Sequence, residues 1–379
     1  MTDKMEAVPS EQRGGWMTFL KSIASFSGDL SKMTAPSFIL SPVSLTEYPS
    51  YWGENPELWK EIQQGGSPEQ RMIAVVRWFI ATLKGQYTAR NTSMGSEKKP
   101  LNPILGEVFL GAWPDKSGRG ETTLVSEQVS HHPPITAYCL NNDAAGVTVE
   151  GHSGQKTSFN GRSINVVQVG HAMLTLRRPE GEERYLITLP TLTIDGLWYG
   201  SPYIEIIDSS YIQSSTGFLA TINYSGKGYF TGKAHTFNAV VNNDKTGQTI
   251  LEAAGDWSDV STVKKSAVLP PGSIFWNAGV VPREEIAVKP LEEQDACESR
   301  KVWQHVAHGI RTKNYELASK DKSRIENEQR NLRKQREAEN NPHQLRFFDR
   351  NPADPLYAQL IRQCKGHAPT QESFRRKRA

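Results

Sequence analysis

The chain has 379 residues, 37% of them hydrophobic and 22% charged, with a formal net charge of +3. That composition excludes a disordered or fibrous chain and supplies one large core or two modest ones, while so slight a positive charge is no argument for a nucleic-acid partner. Cys139, Cys297 and Cys364 are too few and too scattered for a disulfide framework or a zinc motif, no stretch approaches the ~20 apolar residues of a membrane span, and the N-terminus lacks a signal-peptide layout. The expectation is a cytoplasmic protein that touches membranes only from outside.

In chain order, GWMTFLKSIASF places Trp16, Phe19, Leu20, Ile23 and Phe26 at helical spacing, with Thr18, Ser22 and Ser25 opposite and Lys21 as the lone charge. This predicts an amphipathic helix, either packed on its own core or serving as a lid or interfacial helix that holds lipid through bulk rather than charge. Ser67-Pro68 then opens a second helix, serine as N-cap and proline at the first helical position, with Met72, Val75, Val76, Phe79 and Leu83 as its buried stripe. RNTSMGSEKKPLNPILGE reads as a loop. From about residue 104 to about residue 260, short β-rich runs such as GVTVEGH, RYLITLPTLTI and GFLATINYSG alternate with Gly, Asn, Asp and Pro clusters. So many strands without intervening helices predict an antiparallel meander closed, or nearly closed, into a barrel. One larger than eight strands has space for a ligand or a plug. After about residue 290 come ESRKVWQHVAHGI and the charged run KDKSRIENEQRNLRKQREAE, which reads as a solvent-facing helix laced with ion pairs. The closing ESFRRKRA reads as a solvated, frayed terminus.

Within EQVSHHPP, residues 127–134, His131 and His132 are closed by two prolines. A proline disfavours helix at the residue before it, so His132 is expected to be extended and the two imidazoles to leave on opposite faces. Such a pair is a poor chelate for one metal ion and suits a ligand that inserts between donors.

EQVSHHPP, the upstream EKKPLNPILGE, PLEEQDACESRKVW and the late charged helix together resemble the lipid-binding domain of the oxysterol-binding protein family, from about Trp16 to about Glu337. The chain is similar to the short, stand-alone fungal type, with no room for pleckstrin-homology or ankyrin modules and no good match beyond about Phe347. The resemblance implies a mainly β fold with α: a large antiparallel, nearly closed β-barrel around an apolar tunnel, with an N-terminal lid helix and flanking helices. Its expected division is a lid segment 1–35, a helical region 36–103, the barrel 104–287, a C-terminal helical region 288–345 and a variable tail 346–379. It implies that phosphatidylinositol 4-phosphate is recognised at the tunnel mouth, and that sterol is taken up in exchange.

Carried over motif by motif, the headgroup contacts are Lys99 and Asn102 from KKPLNP, His131 and His132 from EQVSHHPP, and Lys322, Glu326 and Arg330 from the late helix. The last three stand at i, i+4 and i+8 on one helical face. Arg330 can fork onto phosphate oxygens, Lys322 acts as a point charge, and Glu326 orients the cations and accepts from inositol hydroxyls. Trp52, Gln86 and Tyr87 carry over as sterol-tunnel residues, and Trp16, Phe19, Leu20 and Ile23 as the lid's inward face. No cofactor, metal or nucleic acid is expected, and the protein is expected to be a monomer, peripheral on organelle membranes.

The leading function is an intracellular lipid-transfer protein that exchanges sterol and phosphatidylinositol 4-phosphate through one tunnel. A lipid sensor without net transport would use the same pocket. An enzyme with His131 as general base is disfavoured by the lack of a G-x-S-x-G elbow, a Cys-His signature or an oxyanion arrangement.

Overall fold

The computed structural model describes all residues except 1–7, 9, 27, 31–32, 34, 117, 227–232, 351–353, 365–371 and 378–379. Parts of the expected lid segment and tail therefore lie outside the described residues. Helix α1 (Arg13–Ser25) is followed by strand β1 (Leu40–Ser44), helices α2 (Glu57–Gln64) and α3 (Pro68–Met94), and strand β2 (Lys99–Leu101), which pairs in parallel with β1. The large sheet then runs through β3 (Val108–Trp113), β4 (Thr122–His131), β5 (Pro134–Asn142), β6 (Val147–Phe159), β7 (Ile164–Arg178), β8 (Gly181–Thr188), β9 (Thr191–Asp195) and β10 (Tyr203–Ile207). It continues through β11 (Ser209–Ser214), β12 (Phe218–Ser225), β13 (Thr236–Asn243), β14 (Thr249–Asp256), β15 (Val260–Ser266) and β16 (Ile274–Asn277). Helices α4 (Ser299–Val302), α5 (Gln304–Arg311) and α6 (Tyr315–Ala338), strand β17 (Phe348–Arg350), helix α7 (Pro355–Gln363) and strand β18 (Phe374–Arg376) complete the chain.

The fold is mainly β with α, as the sequence predicts. Among the described residues, fourteen strands form one antiparallel sheet whose path runs from β3 through β8 to β11 and on to β16. The 15-residue β7 outlasts β8, so its first residues, 164–166, pair instead with β9, and the β9–β10 hairpin stands off the main path. The sheet curls without closing. Its β3 edge is covered by the segment after β16, through bridges from Val108 to Glu298 and from Ala112 to Ala287. That arrangement satisfies an edge that would otherwise expose a row of unpaired amides.

Helix α3 starts where the sequence places it. The Ser67 hydroxyl accepts from the Gln70 amide at 3.3 Å, the Gln70 side chain accepts in return from the Ser67 amide at 3.2 Å, and Gly95 ends the helix in the left-handed conformation. Met72, Val75, Val76, Phe79 and Leu83 are buried as expected, but so are Ile73, Trp78 and Ile80. A helix apolar on all sides belongs inside, and α3 joins the inward-facing residues of the sheet in the main core. The expected loop after it is only partly loop: residues 90–94 still belong to α3, and Lys99–Leu101 is β2.

The described part of the closing segment, residues 372–377, does not fray. Phe374 is buried in β18, which pairs with β17, and Phe348, Tyr357 and Leu360 are buried against the outer face of the sheet. Charged neighbours mask these isolated apolar residues in the sequence, while the sheet supplies the face they need.

Candidate functional site

The curled sheet, α1 and the β2 region enclose a cavity of about 230 Å³ with a mainly apolar wall. In the part walled by the main core, Trp52 lies against Trp78, Phe79 and Tyr138, with ring centroids 5.4, 6.1 and 6.4 Å away. Tyr87 is buried there, and burial drives its phenol pKa up, so it stays a neutral hydroxyl. Its oxygen accepts from the Gln168 amide at 2.9 Å, and Gln86 donates to Thr82 at 2.8 Å. These amides and hydroxyls are the polar spots of an otherwise apolar wall, the pattern that suits a ligand with one hydroxyl.

Helix α1 supplies another part of the wall. Trp16, Phe19 and Ile23 line the cavity, and the Trp16 indole donates to the Leu197 carbonyl at 3.0 Å. Leu20 is also buried, at 1% exposure, but lies outside the cavity wall in the cluster with Trp303, Val306 and Ile310. One side of the helix thus faces both: Trp16, Phe19 and Ile23 line the cavity, Trp16 and Phe19 also pack with the cluster that includes α5, and Leu20 joins that cluster without reaching the cavity.

Cationic groups gather beside the cavity. Lys99 lines it, donates to the Met33 carbonyl at 2.9 Å, and has its pKa pulled down to about 8 by burial and then by the neighbouring Lys322 ammonium, against Asp29 and Glu326. Lys322 is itself largely buried and paired with Glu326. Asn102 also lines the cavity, with its side chain exposed. The sequence-predicted Lys99, Asn102, Lys322 and Glu326 thus come from the β2 region and α6 to one side of the cavity.

The histidine pair differs from expectation. His131 ends β4 and pairs with Pro134 of β5, so His132 and Pro133 form the tip of a tight two-residue hairpin instead of continuing the strand. The two rings meet edge to face at 4.7 Å rather than leaving on opposite faces. The half-buried His131 has Nδ1 3.0 Å from the Pro103 carbonyl, so that nitrogen carries the proton, and its pKa is lowered by burial and then by His132. Glu326 and Arg333 act electrostatically on His131. Neither histidine lines the cavity, although Gln128 and Pro134 of the same hairpin do. Arg330 is exposed and donates to Asn327 at 2.9 Å.

Several residues of the site escape the sequence reading. Arg333 beside His131 is one. Another set is Arg90 with Glu97, a buried ion pair in the cavity wall. Arg90 also donates to the Gln86 carbonyl at 2.8 Å and the Tyr51 hydroxyl at 3.3 Å, and lies 4.8 Å over the Tyr48 ring. Glu97 and Lys98 stand inside the EKKPLNP motif, which is the signal that could have found them. Glu107, in the same stretch, is fully buried and accepts from Ser44 at 2.5 Å, Thr46 at 2.8 Å, Trp303 at 2.9 Å and the Ile104 amide at 3.0 Å. It ties β1, the β2–β3 connection and the residue preceding α5 into one frame behind the lysines.

The sequence profile described as oxysterol-binding protein matches residues 17–308. Protein KES1 of Mycosarcoma maydis is 57% identical over 375 residues, 98% of this chain and 97% of its own length. Protein kes1 of Schizosaccharomyces pombe is 47% identical over 372 residues, 96% of this chain and 94% of its own. Among solved structures, the Osh1 ORD domain in complex with cholesterol superposes with a TM-score of 0.75 at 24% identity, covering 94% of this chain and 86% of that one. The Osh3 ORD of Saccharomyces cerevisiae in complex with PI(4)P superposes at 0.66 with 20% identity, covering 88% and 86%. At these identities the two structures speak to the fold.

Proposed function

Because the chain belongs to the oxysterol-binding protein family, we propose that it is a lipid-transfer protein that takes single sterol or phosphatidylinositol 4-phosphate molecules into its cavity and exchanges them between membranes. The observation that carries this reading is the juxtaposition of an apolar cavity roofed by α1 with a half-buried pair of lysines, Lys99 and Lys322, at its side. An apolar body needs the first and a phosphate needs the second. The solved relatives support it: one holds cholesterol and another PI(4)P. The protein works without chemical change to the lipid, in the cytoplasm, visiting membranes peripherally. Among the described residues no helix is long and apolar enough to cross a membrane.

In this reading Lys99, Lys322 and Asn102 meet the phosphodiester, while His131 and His132 meet the 4-phosphate. Glu326, already paired with Lys322, holds the ammonium in place and accepts from ring hydroxyls. The sterol hydroxyl meets Gln86 and Tyr87. The test is transfer of fluorescent sterol and labelled phosphatidylinositol 4-phosphate between two vesicle populations at catalytic amounts of protein. Wild-type protein moves both, and His131→Ala/His132→Ala moves sterol only. Uptake without transfer would leave a lipid sensor, and a chemically altered lipid would point to an enzyme.

A further inference from the structure

The turn joining β9 to β10 reads Gly196-Leu197-Trp198-Tyr199-Gly200. Leu197 lines the cavity, whereas Trp198 remains 47% and Tyr199 91% exposed. This exposure is built into the backbone. Gly196 and Gly200 both adopt left-handed conformations, with φ of 76° and 65°, and a Cβ at Gly196 would come within 2.2 Å of the Ser201 carbonyl oxygen. The amides of Tyr199 and Ser201 donate to the Gly196 carbonyl at 3.2 and 3.1 Å, and that of Gly200 to Leu197 at 3.1 Å, so the turn is closed on itself. Turning the aromatic pair inward would cost these bonds.

The turn is also tied to the lid, because the Trp16 indole of α1 donates to the Leu197 carbonyl, and Met17, the next residue, is 44% exposed. The hydroxyls of Thr18, Ser22 and Ser25 donate at 3.0 to 3.1 Å to the carbonyls of Gly14, Thr18 and Ser22. These bonds leave few unsatisfied donors on the exposed side of the helix. Lys21 is the lone charge from Gly14 to Phe26.

We propose that the 196–200 turn is a membrane-docking element: Trp198 and Tyr199 enter the lipid–water interface and hold the lid helix at the bilayer surface. The proposal rests on the lipid-transfer reading. A bilayer is the occupant because the turn that exposes the aromatic pair also lines the cavity and bonds the lid, so a lipid leaving a membrane for that cavity passes this turn. Trp and Tyr each offer an apolar body with one polar tip, which matches an interface that is apolar at one end and wet at the other. The weakly charged lid surface beside them fits neutral, loosely packed membrane rather than strongly anionic membrane.

The direct test places an environment-sensitive dye at Tyr199→Cys in a Cys297→Ser background, which removes the exposed thiol; Cys139 and Cys364 are buried. Added cargo-free vesicles of unsaturated phosphatidylcholine should shift the emission to the blue and brighten it. An unmoved spectrum overturns the proposal, and is the outcome expected if the patch serves a protein partner instead. In parallel, Trp198→Ser/Tyr199→Ser should weaken vesicle co-sedimentation roughly tenfold, about 1.4 kcal/mol, and slow sterol transfer in step. The fraction of sterol bound at equilibrium should not change. A matching loss of that fraction in the folded variant would make Trp198 and Tyr199 part of the lipid-holding wall and overturn the proposal. A wild-type protein that takes up no sterol would sink the transfer reading alone, since the dye measurement needs no cargo.

Discussion

Lys99 is held in conflict: burial and the Lys322 ammonium act against its charge, Asp29 and Glu326 act for it, and the balance leaves its pKa at about 8. The folded value lies below the unfolded value of about 10.4, so between the two the unfolded chain binds more protons and stability rises with pH through that window. A bound phosphate reverses the preference by favouring the ammonium, so above about pH 8 anion binding must take up a proton. We expect phosphatidylinositol 4-phosphate affinity to fall between about pH 7 and about pH 9, by up to tenfold per unit once past the pKa, while sterol affinity stays flat. Lys99→Arg should remove the fall, because a guanidinium stays charged throughout. Vesicle extraction assays at several pH values read both, and a flat phosphoinositide profile in the wild type would remove Lys99 from the headgroup site. Lys99, Lys322 and Glu326 were legible only through the resemblance to the family, whose motifs carry them to these positions. Asp29 was not, because its oxygen bonds Thr157, 128 residues away. Leu20 was legible as buried but not as to what buries it: spacing fixes the side of a helix and says nothing of what lies against it.

Strand β4 shows why the EQVSHHPP stretch is rich in groups that never touch a cavity. Leu124 joins the main core, the Ser126 hydroxyl donates to the Thr46 carbonyl, and Gln128 lines the cavity, while Val125 and Glu127 project to the other face as strand alternation requires. That outer face is covered too. The two Glu127 carboxylate oxygens accept from the backbone amides of Arg346 and Phe347 at 2.7 and 2.8 Å, and Val125, Ile135 and Cys139 pack with Phe348 and Phe374. The strand is thus a two-sided clamp, cavity within and C-terminal segment without. Glu127→Ala should orphan two amides at about 1–3 kcal/mol each and loosen the outer segment. Hydrogen exchange should then quicken at residues 346–348 and 374–376 while the cavity keeps its ligands. Unchanged exchange there would mean that the phenylalanines alone hold the segment. The β-rich region was readable because alternation and turn residues repeat through it. This outer clamp was not, since its partners are single apolar residues in charged surroundings that acquire a face only from the assembled sheet.

For the whole molecule, the decisive question is whether one cavity and one lid govern both cargoes. Trp16, Phe19 and Ile23 wall the same cavity that Trp52, Tyr87 and Lys99 line, so sterol rings and acyl chains would need the same dry volume. Two cargoes that share it displace one another without any further coupling. The lid's hold on that volume can be gauged: burying Trp16 and Ile23 is worth about 1.5–3 kcal/mol each, and the indole bond to Leu197 about 1 kcal/mol more. Opening the lid in water exposes that surface, whereas opening it against a bilayer moves it into another apolar environment, so the membrane lowers the cost of release. A variant lacking residues 1–26, which keeps Asp29 and Leu30, should therefore release either lipid into lipid-free buffer more readily, with retention at least about tenfold weaker, a change of about 1.4 kcal/mol. The measurement loads intact and truncated proteins with one lipid, challenges each with the other, and counts bound molecules by native mass spectrometry. Simultaneous occupancy by sterol and phosphoinositide would break the shared-cavity mechanism. Equal retention with and without the helix would break the gated lid, since an open and a roofed cavity cannot hold an apolar ligand against water equally well.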